Sequence, residues 1–452
     1  MHFTIKQIGS CASERIGTLA CFMKSPGAVI ETPTAALLTQ GGSVTHITAE
    51  VLAKIFITPQ LLWVPLSNSY QLEPGLKAQG EGITKFSGLP EHIACVTPHN
   101  VSDITPPGHF EHNKFPLWTR NGKKMISADR YMELMELYKP DIILTLADGR
   151  TSLAEGYKRL LKSVDRTYNL LNNCVDRYKG SSQLQNSSLI GVVVATGTPK
   201  KCDESIKHIL EHKDILSGIC LAGITDGTED SLKLAVEKVD EIFKRINVSD
   251  VIPKDFLRIV EGCWDPTVVL SAIEQGYDIF DGSYPLKLTN AGHALALNFN
   301  VDQESTESCV LDLNDERYKA DFRPILEGCE CLSCKKHTRA YIRHLLNTRE
   351  MLSSVLLSIH NLHHYDQFFS HARYHISGNT FHIYKQHITG QYEAYNTPSA
   401  TIQDIKLSEE DPRVVINIIL NIKSLQSFDF ITRPICRTLC IAYQCIQRQL
   451  VI

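Results

Sequence analysis

Between about residues 46 and 290 the chain alternates two kinds of apolar pattern. Short, nearly continuous apolar runs occur at Leu61–Leu66, Asp141–Leu146, Ile190–Val194, Gly218–Gly223, Leu257–Gly262 and Tyr277–Gly282. Runs of that length bounded by turn residues predict strands buried on both faces. Between them, helical patterning covers Ser127–Tyr138, Leu153–Tyr178, Asp203–Lys213, Asp230–Ile246 and Pro266–Gln275. Ser127 is placed to cap the first of these helices. Pro266 suits a first helical turn, where its missing N–H removes no bond. Strands alternating with helices imply right-handed parallel β-α-β units. About six such units over this length favour a (β/α)8 barrel, which in its usual form takes ~250 residues. A doubly wound open sheet is the alternative, but no Gly-x-Gly-x-x-Gly turn follows any of the strands, so the dinucleotide fingerprint is missing.

The flanks differ from this middle. Phe3–Ile8 alternates, Gly17–Phe22 offers it a partner, and Ala35–Thr39 reads as a buried strand. After an alternating stretch at 295–299 and a polar loop at 302–308, Lys335–Arg373 reads as a long helical stretch. From about residue 375 the character changes: Pro398–Pro412 is loop-like and Val414–Leu450 holds two short apolar segments. The expected organisation is therefore a barrel with N-terminal strands over 1–325, a subdomain with a long helix over 326–374, to which the chemistry below assigns zinc binding, and an extension of unassigned role over 375–452. The 452 residues carry a formal net charge of −4, so there is no global basic signature of nucleic-acid binding. No apolar run approaches the ~18 residues a membrane helix needs, and the first residues lack the apolar core of a signal peptide.

Chemistry enters at Cys329-Glu330-Cys331-Leu332-Ser333-Cys334. Three of the 14 cysteines fall within six residues here, and the others are scattered. The C-x-C-x-x-C spacing lets three thiolates converge on one centre, and zinc takes four sulfur or imidazole ligands in a tetrahedron. A fourth ligand is needed, and His337, His344, His360, His363, His364 and His371 all lie downstream. A Cys329–Cys331 disulfide would be strained. The helix start after the cluster (Lys335, Lys336, Arg339 and Arg343) is locally basic and is a candidate for phosphate contact. Strand ends such as Ala147-Asp148-Gly149, Ala195-Thr196-Gly197 and Asp281-Gly282-Ser283 lie where barrel sites form.

The cysteine cluster with His360, 26 residues after Cys334, resembles the zinc site of the tRNA-guanine transglycosylase family. Gly27-Ala28-Val29-Ile30-Glu31-Thr32-Pro33 is similar to that family's G-x-I-E-T-P opening. Asn68–Gly75 is similar to its N-T-Y-H-L…R-P-G stretch, and Gly276–Pro285 to its G-x-D-M-F-D-C-V-x-P. Order and spacing agree over residues 1–373. The resemblance implies a TIM barrel with a zinc subdomain near the C-terminus, and one structural Zn2+ on Cys329, Cys331, Cys334 and His360; His363 and His364 are the rivals of His360. Family members exchange guanine for a 7-deazaguanine base (queuine in eukaryotes) at the tRNA wobble position, through an aspartate nucleophile that Asp281 matches.

The departures from that pattern carry as much as the matches. No Asp-Ser-Gly-Gly is found over Pro90–Asn100, where the second aspartate belongs. Ala147 stands where an aspartate grips the base, although a one-residue slip would bring in Asp148. Q-G-G becomes Ala195-Thr196-Gly197, the next Gly-Gly becomes Ala222-Gly223, and a base-stacking methionine becomes Glu261. The family's P-T-R becomes Pro285-Leu286-Lys287. A base pocket discriminates by pairing every polar edge atom, so these changes remove its recognition groups. The implied role is that of a non-catalytic subunit, paired with a catalytic one in a heterodimer that holds tRNA, with a homodimer as the assembly in isolation. The family places such a complex in the cytoplasm, partly at the mitochondrial outer membrane. The alternative is an active transglycosylase with a rebuilt pocket that uses Asp281 as nucleophile. A zinc-stabilised barrel that binds some other nucleotide or protein is a third reading.

Overall fold

Eight parallel strands close on themselves: β1 (Thr34–Gln40), β2 (Leu61–Pro65), β3 (Ile93–Thr97), β4 (Ile142–Leu144), β5 (Ser188–Val193), β6 (Leu216–Leu221), β7 (Leu257–Val260) and β8 (Ile279–Gly282). This computed structural model describes residues 1–397 except 10–12, 101–102, 104–110, 112, 150, 154, 249–251, 304–306 and the side chains of 246–248. The expected segments at 398–412 and 414–450 lie outside the described residues. Each strand pairs with its neighbour in sequence, and β8 returns to β1 with Asp281 opposite Ala36 and Gly282 opposite Leu37. Gly282 is required at this seam, because a Cβ there would sit 2.1 Å from the carbonyl oxygen of Ala36. The doubly wound alternative is thereby excluded.

Period-two alternation sorts the strand residues into two cores. Ala36, Leu38, Trp63, Cys95, Leu144, Val192, Cys220, Ile259 and Ile279 fill the lumen. Their neighbours Leu37, Leu62, Val96, Ile143, Val193, Leu221, Val260 and Phe280 pack outward against the helices. Those helices follow the strands in turn: α1 (Ala49–Ile55), α2 (Glu73–Gln79), α3 (Ala128–Tyr138), α4 (Tyr157–Lys179), α5 (Pro199–Leu210), α6 (Glu229–Val248), α7 (Pro266–Glu274) and α8 (Ser283–Asn290). The Ser127 hydroxyl accepts from Arg130 N to cap α3. Asp265 caps α7, with Pro266 in its first turn.

Three antiparallel strands (His2–Ile8, Arg15–Ala20 and Ile30–Thr32) cover the end of the barrel opposite the strand C-termini. Phe3, Leu19, Phe22 and Ile30 from this sheet join the luminal core. Arg15 anchors it through Nε to Asp278 Oδ1 at 2.9 Å and through its guanidinium to the Lys254 and Phe256 carbonyls, just ahead of β7 and β8.

Two elements absent from the sequence-based expectation are β3 and a hairpin, Lys114–Thr119 with Gly122–Ser127, inserted before α3. The long helical stretch expected over Lys335–Arg373 is three helices: α9 (Leu332–Lys336), α10 (Arg339–Asn347) and α11 (Met351–Ser377). Thr338 caps α10, and Arg349 at φ 57° precedes α11. A further helix, α12 (Phe381–Asn396), lies against α7 and α11, with Tyr392 and Tyr284 hydroxyls 2.9 Å apart and Lys385 3.0 Å from Glu274. Among the described residues no helix is long and apolar enough to cross a membrane.

Candidate metal centre and barrel-mouth site

Four side chains converge where the loop after Gly328 meets the middle of α11. The ligand atoms of Cys329, Cys331, Cys334 and His360 all lie within 4.8 Å of one another. His360 Nδ1 is 3.7, 3.6 and 3.3 Å from the three sulfurs in chain order. Local structure sets this geometry. Cys331 is the N-cap of α9, its sulfur accepting from Cys334 N at 3.3 Å, so one tight turn points both sulfurs the same way. The Cys331 and Cys334 thiols hold Cys329 far below the usual thiol range.

His360 is 0% exposed, and its other nitrogen is 2.7 Å from the Leu295 carbonyl oxygen. Nε2–H therefore donates there and the Nδ1 lone pair faces the sulfurs, an arrangement typical of a metal-bound imidazole. The neighbouring residues on α11 have different partners. Asn361 accepts from Leu295 N, and its amide donates to Thr289 and to the His293 carbonyl. His364 accepts from Leu297 N at 2.9 Å, and burial lowers its pKa to about 3. Three sulfurs and an imidazole, buried and with one tautomer fixed, suit a tetrahedral metal ion.

The basic residues downstream divide in two. Lys335 and Lys336 are exposed. Arg339 is 1% exposed and bonded to Glu307, Asp321 and the Pro324 and Ile325 carbonyls. Arg343 is buried, donating to the Asp315 carbonyl at 2.9 Å and to Glu316 at 2.5 Å. Both arginines tie α10 to the segment 307–325 that leads into the cysteine loop.

At the C-terminal mouth of the barrel, the segment after β4 folds down onto the ends of β5 and β6. The Thr151 hydroxyl accepts from Ala195 N at 3.2 Å and donates to the Gly223 carbonyl at 3.4 Å. Thr151 and Ser152 are buried. The fit is close: a Cβ on Gly223 would lie 2.2 Å from the Gly149 oxygen, and one on Gly197 would lie 2.2 Å from Leu153 Cδ2. Gly149 and Thr151–Leu153 thus occupy the floor where a planar ligand would meet the strand-end backbone. Asp148 is 0% exposed and is turned onto α4, paired with Arg159 and, at 3.1 Å, with Arg166. Ser163 and Thr167 of α4 hold its main chain. Its carboxylate is therefore committed to α4. This packing also explains why α4 begins at Tyr157 rather than at Leu153, as the pattern suggested.

Across the mouth stand carboxyl groups. Asp281 closes β8, and its Oδ1 accepts from Ser283 N at 2.8 Å at the start of α8, where the helix dipole favours an anion. Burial nevertheless raises its pKa to about 6. Glu261, one residue past β7, is raised to about 8 by burial and by Asp281. Asp103 was not singled out from the sequence, since no spacing marks it. Its pKa is raised by burial against hydrogen bonds with Asn100 and Asn68, and its charge reaches Asp281. Lys287, which stands where the resemblance expects arginine, is exposed.

Comparison with known proteins agrees with this geometry. A family model described as queuine tRNA-ribosyltransferase matches residues 11–394. A protein of Aedes aegypti named queuine tRNA-ribosyltransferase accessory subunit 2 is 33% identical over 91% of this chain and 97% of its own length. Proteins of the same name from Anopheles gambiae and Drosophila melanogaster are 33% and 34% identical, over 86% and 84% of this chain and 90% of their own lengths in each case.

Proposed function

The chain belongs to the queuine tRNA-ribosyltransferase family, and on that premise we propose that it is the non-catalytic accessory subunit of a heterodimeric tRNA-guanine transglycosylase. The observation that carries this reading is the occupied mouth. Thr151 takes the strand-end N–H of Ala195 and one lone pair of the Gly223 carbonyl, so the N–H is spent and the carbonyl is covered where a base edge would come. Ala147 has no polar group to offer, and Asp148 is spent on α4. Base exchange also needs a nucleophile and a partnered acid or base, the latter typically worth ~10²–10⁴-fold. Asp281 has for neighbours Glu261, on the adjacent strand, and Asp103, outside any Asp-Ser-Gly-Gly motif, in place of the family's second aspartate.

The metal centre supports the other half of the role. Zn2+ on Cys329, Cys331, Cys334 and His360 would be closed and structural, with no position for water. Through it the loop, α11 and the strand His293–Leu295 become one rigid unit. That unit is the proposed dimerisation surface for the catalytic subunit. Exposed Lys335 and Lys336 lie on it as candidate tRNA phosphate contacts, while Arg339 and Arg343 are proposed to act as braces. Cytoplasmic placement, with peripheral association at the mitochondrial outer membrane, follows the family.

Sedimentation velocity of the purified chain mixed with the family's catalytic subunit tests the assignment. A one-to-one complex is expected, with one zinc per chain by mass spectrometry. Cys334→Ser should lose the zinc and weaken the complex at least ~10-fold. Failure of the zinc-loaded chain to associate would contradict the proposal.

A further inference from the structure

Asp281 is 2% exposed, yet its Oδ2 makes no close hydrogen bond among the described residues, although the Gly262 N–H and the Ser283 hydroxyl approach the carboxylate. Oδ1 is committed to Ser283 N. The Ser283 hydroxyl is equally buried and stands near both the Asp281 carboxylate and the Cys263 thiol without a close hydrogen bond to either. Glu261 stands beside them. Val260 pairs with Phe280, so the next residues, Glu261 and Asp281, lie side by side on adjacent parallel strands. Both continue the inward-facing series of Leu257, Ile259 and Ile279 into the mouth. On its other flank Glu261 faces Ala222, since Leu221 pairs with Val260, and alanine leaves its carboxyl room.

Two carboxyls placed together in a poorly solvated mouth repel when both ionise, and each loses hydration that nothing replaces. Among the described residues no cationic side chain bonds to Asp281 Oδ2. A bound cation would satisfy the free oxygen, give the serine hydroxyl a role as a neutral ligand, and remove the repulsion. We propose that Asp281, Glu261 and Ser283 form a binding site for a hard divalent cation of the Mg2+ or Mn2+ kind. The donors are all oxygen, the ligand type that such ions select over the sulfur and nitrogen of the cysteine cluster.

The spacing fits. Neighbouring strands run ~4.8 Å apart, and an ion with bonds of ~2.1 Å spans carboxylate oxygens about 4 Å apart. Water carried in with the ion would complete the octahedron that Mg2+ prefers. Asp103, whose charge reaches Asp281, adds negative potential at the rim. The proposal does not rest on the accessory-subunit reading, because the donors belong to this chain alone.

Titration of zinc-loaded, full-length protein with Mn2+, followed by the loss of the free Mn2+ signal in electron paramagnetic resonance, tests it. A single saturable site competed by Mg2+ is expected. Asp281→Asn and Glu261→Gln should each weaken it at least ~10-fold. Glu261→Gln removes a like charge and is expected to fold at least as well as the wild type, so loss of binding there cannot be assigned to unfolding. Absence of a saturable site in the wild type, or unchanged affinity in both variants, would overturn the proposal.

Discussion

Glu261 shows how one side chain alters the barrel mouth. Its carboxyl ordinarily titrates at 4.5, and in the fold burial and then Asp281 raise it to about 8. Between those values the unfolded chain is charged and the folded chain is not. Protons therefore favour the fold, and this contribution falls away as pH rises from 4.5 to 8. Glu261→Gln should abolish that fall. In buffer free of added divalent cations, denaturant unfolding should find the variant ~1–3 kcal/mol more stable than wild type near pH 8 and little changed near pH 5. An equal difference at both pH values would show that Glu261 ionises freely. Legibility at this scale was uneven. The three cysteines were readable because they share one turn, and His360 was singled out among six downstream histidines only by the family resemblance. The fates of Arg339 and Arg343 were not readable, because their partners Glu307, Asp321 and Glu316 come from a separate loop. Asp103 was invisible for a similar reason: only the closed barrel brings it near Asp281.

Elements were legible where the pattern was long and missed where it was interrupted. The helices α3, α6 and α7 begin and end close to where capping residues and periodicity place them. β3 is five residues long and follows a turn-rich stretch, so its Ile93–Thr97 run carries too little pattern to announce a strand. The helical stretch after the cysteines broke into three because Thr338 can cap a helix mid-stretch and Arg349 takes a left-handed turn. The segment Gly149–Leu153 has no pattern at all, and yet it determines what the mouth can hold. Its seat depends on Gly223, at φ +71° and pressed against Gly149 and Thr151. Gly223→Ala should lift the segment, destabilise the protein by about 1–3 kcal/mol and speed hydrogen exchange over 149–153 while leaving α11 protected. Exchange unchanged over 149–153 would mean that the segment is not held by this contact.

At the scale of the molecule, scaffold and pocket have different fates. The barrel closes with regular β1–β8 pairing, the N-terminal sheet seals one end through Arg15 and Asp278, and the Cys3His cluster joins the cysteine loop, α11 and the strand His293–Leu295. These features were readable because they rest on hydrophobic period, glycine at tight approaches and ligand spacing. The mouth was readable only as a set of departures. How it is filled depends on side chains from β4 through β8 meeting in space. A protein that keeps the frame and fills the site is suited to positioning a partner and its RNA rather than to chemistry. The most direct measurement is incorporation of radiolabelled guanine into tRNA bearing a wobble guanine, by this chain alone, by the catalytic subunit alone, and by both together. The account predicts incorporation by the mixture and none by this chain alone, with Asp281→Asn leaving the mixture's rate unchanged. Incorporation by this chain alone that disappears in Asp281→Asn would contradict it, and would show the mouth to be a rebuilt catalytic centre.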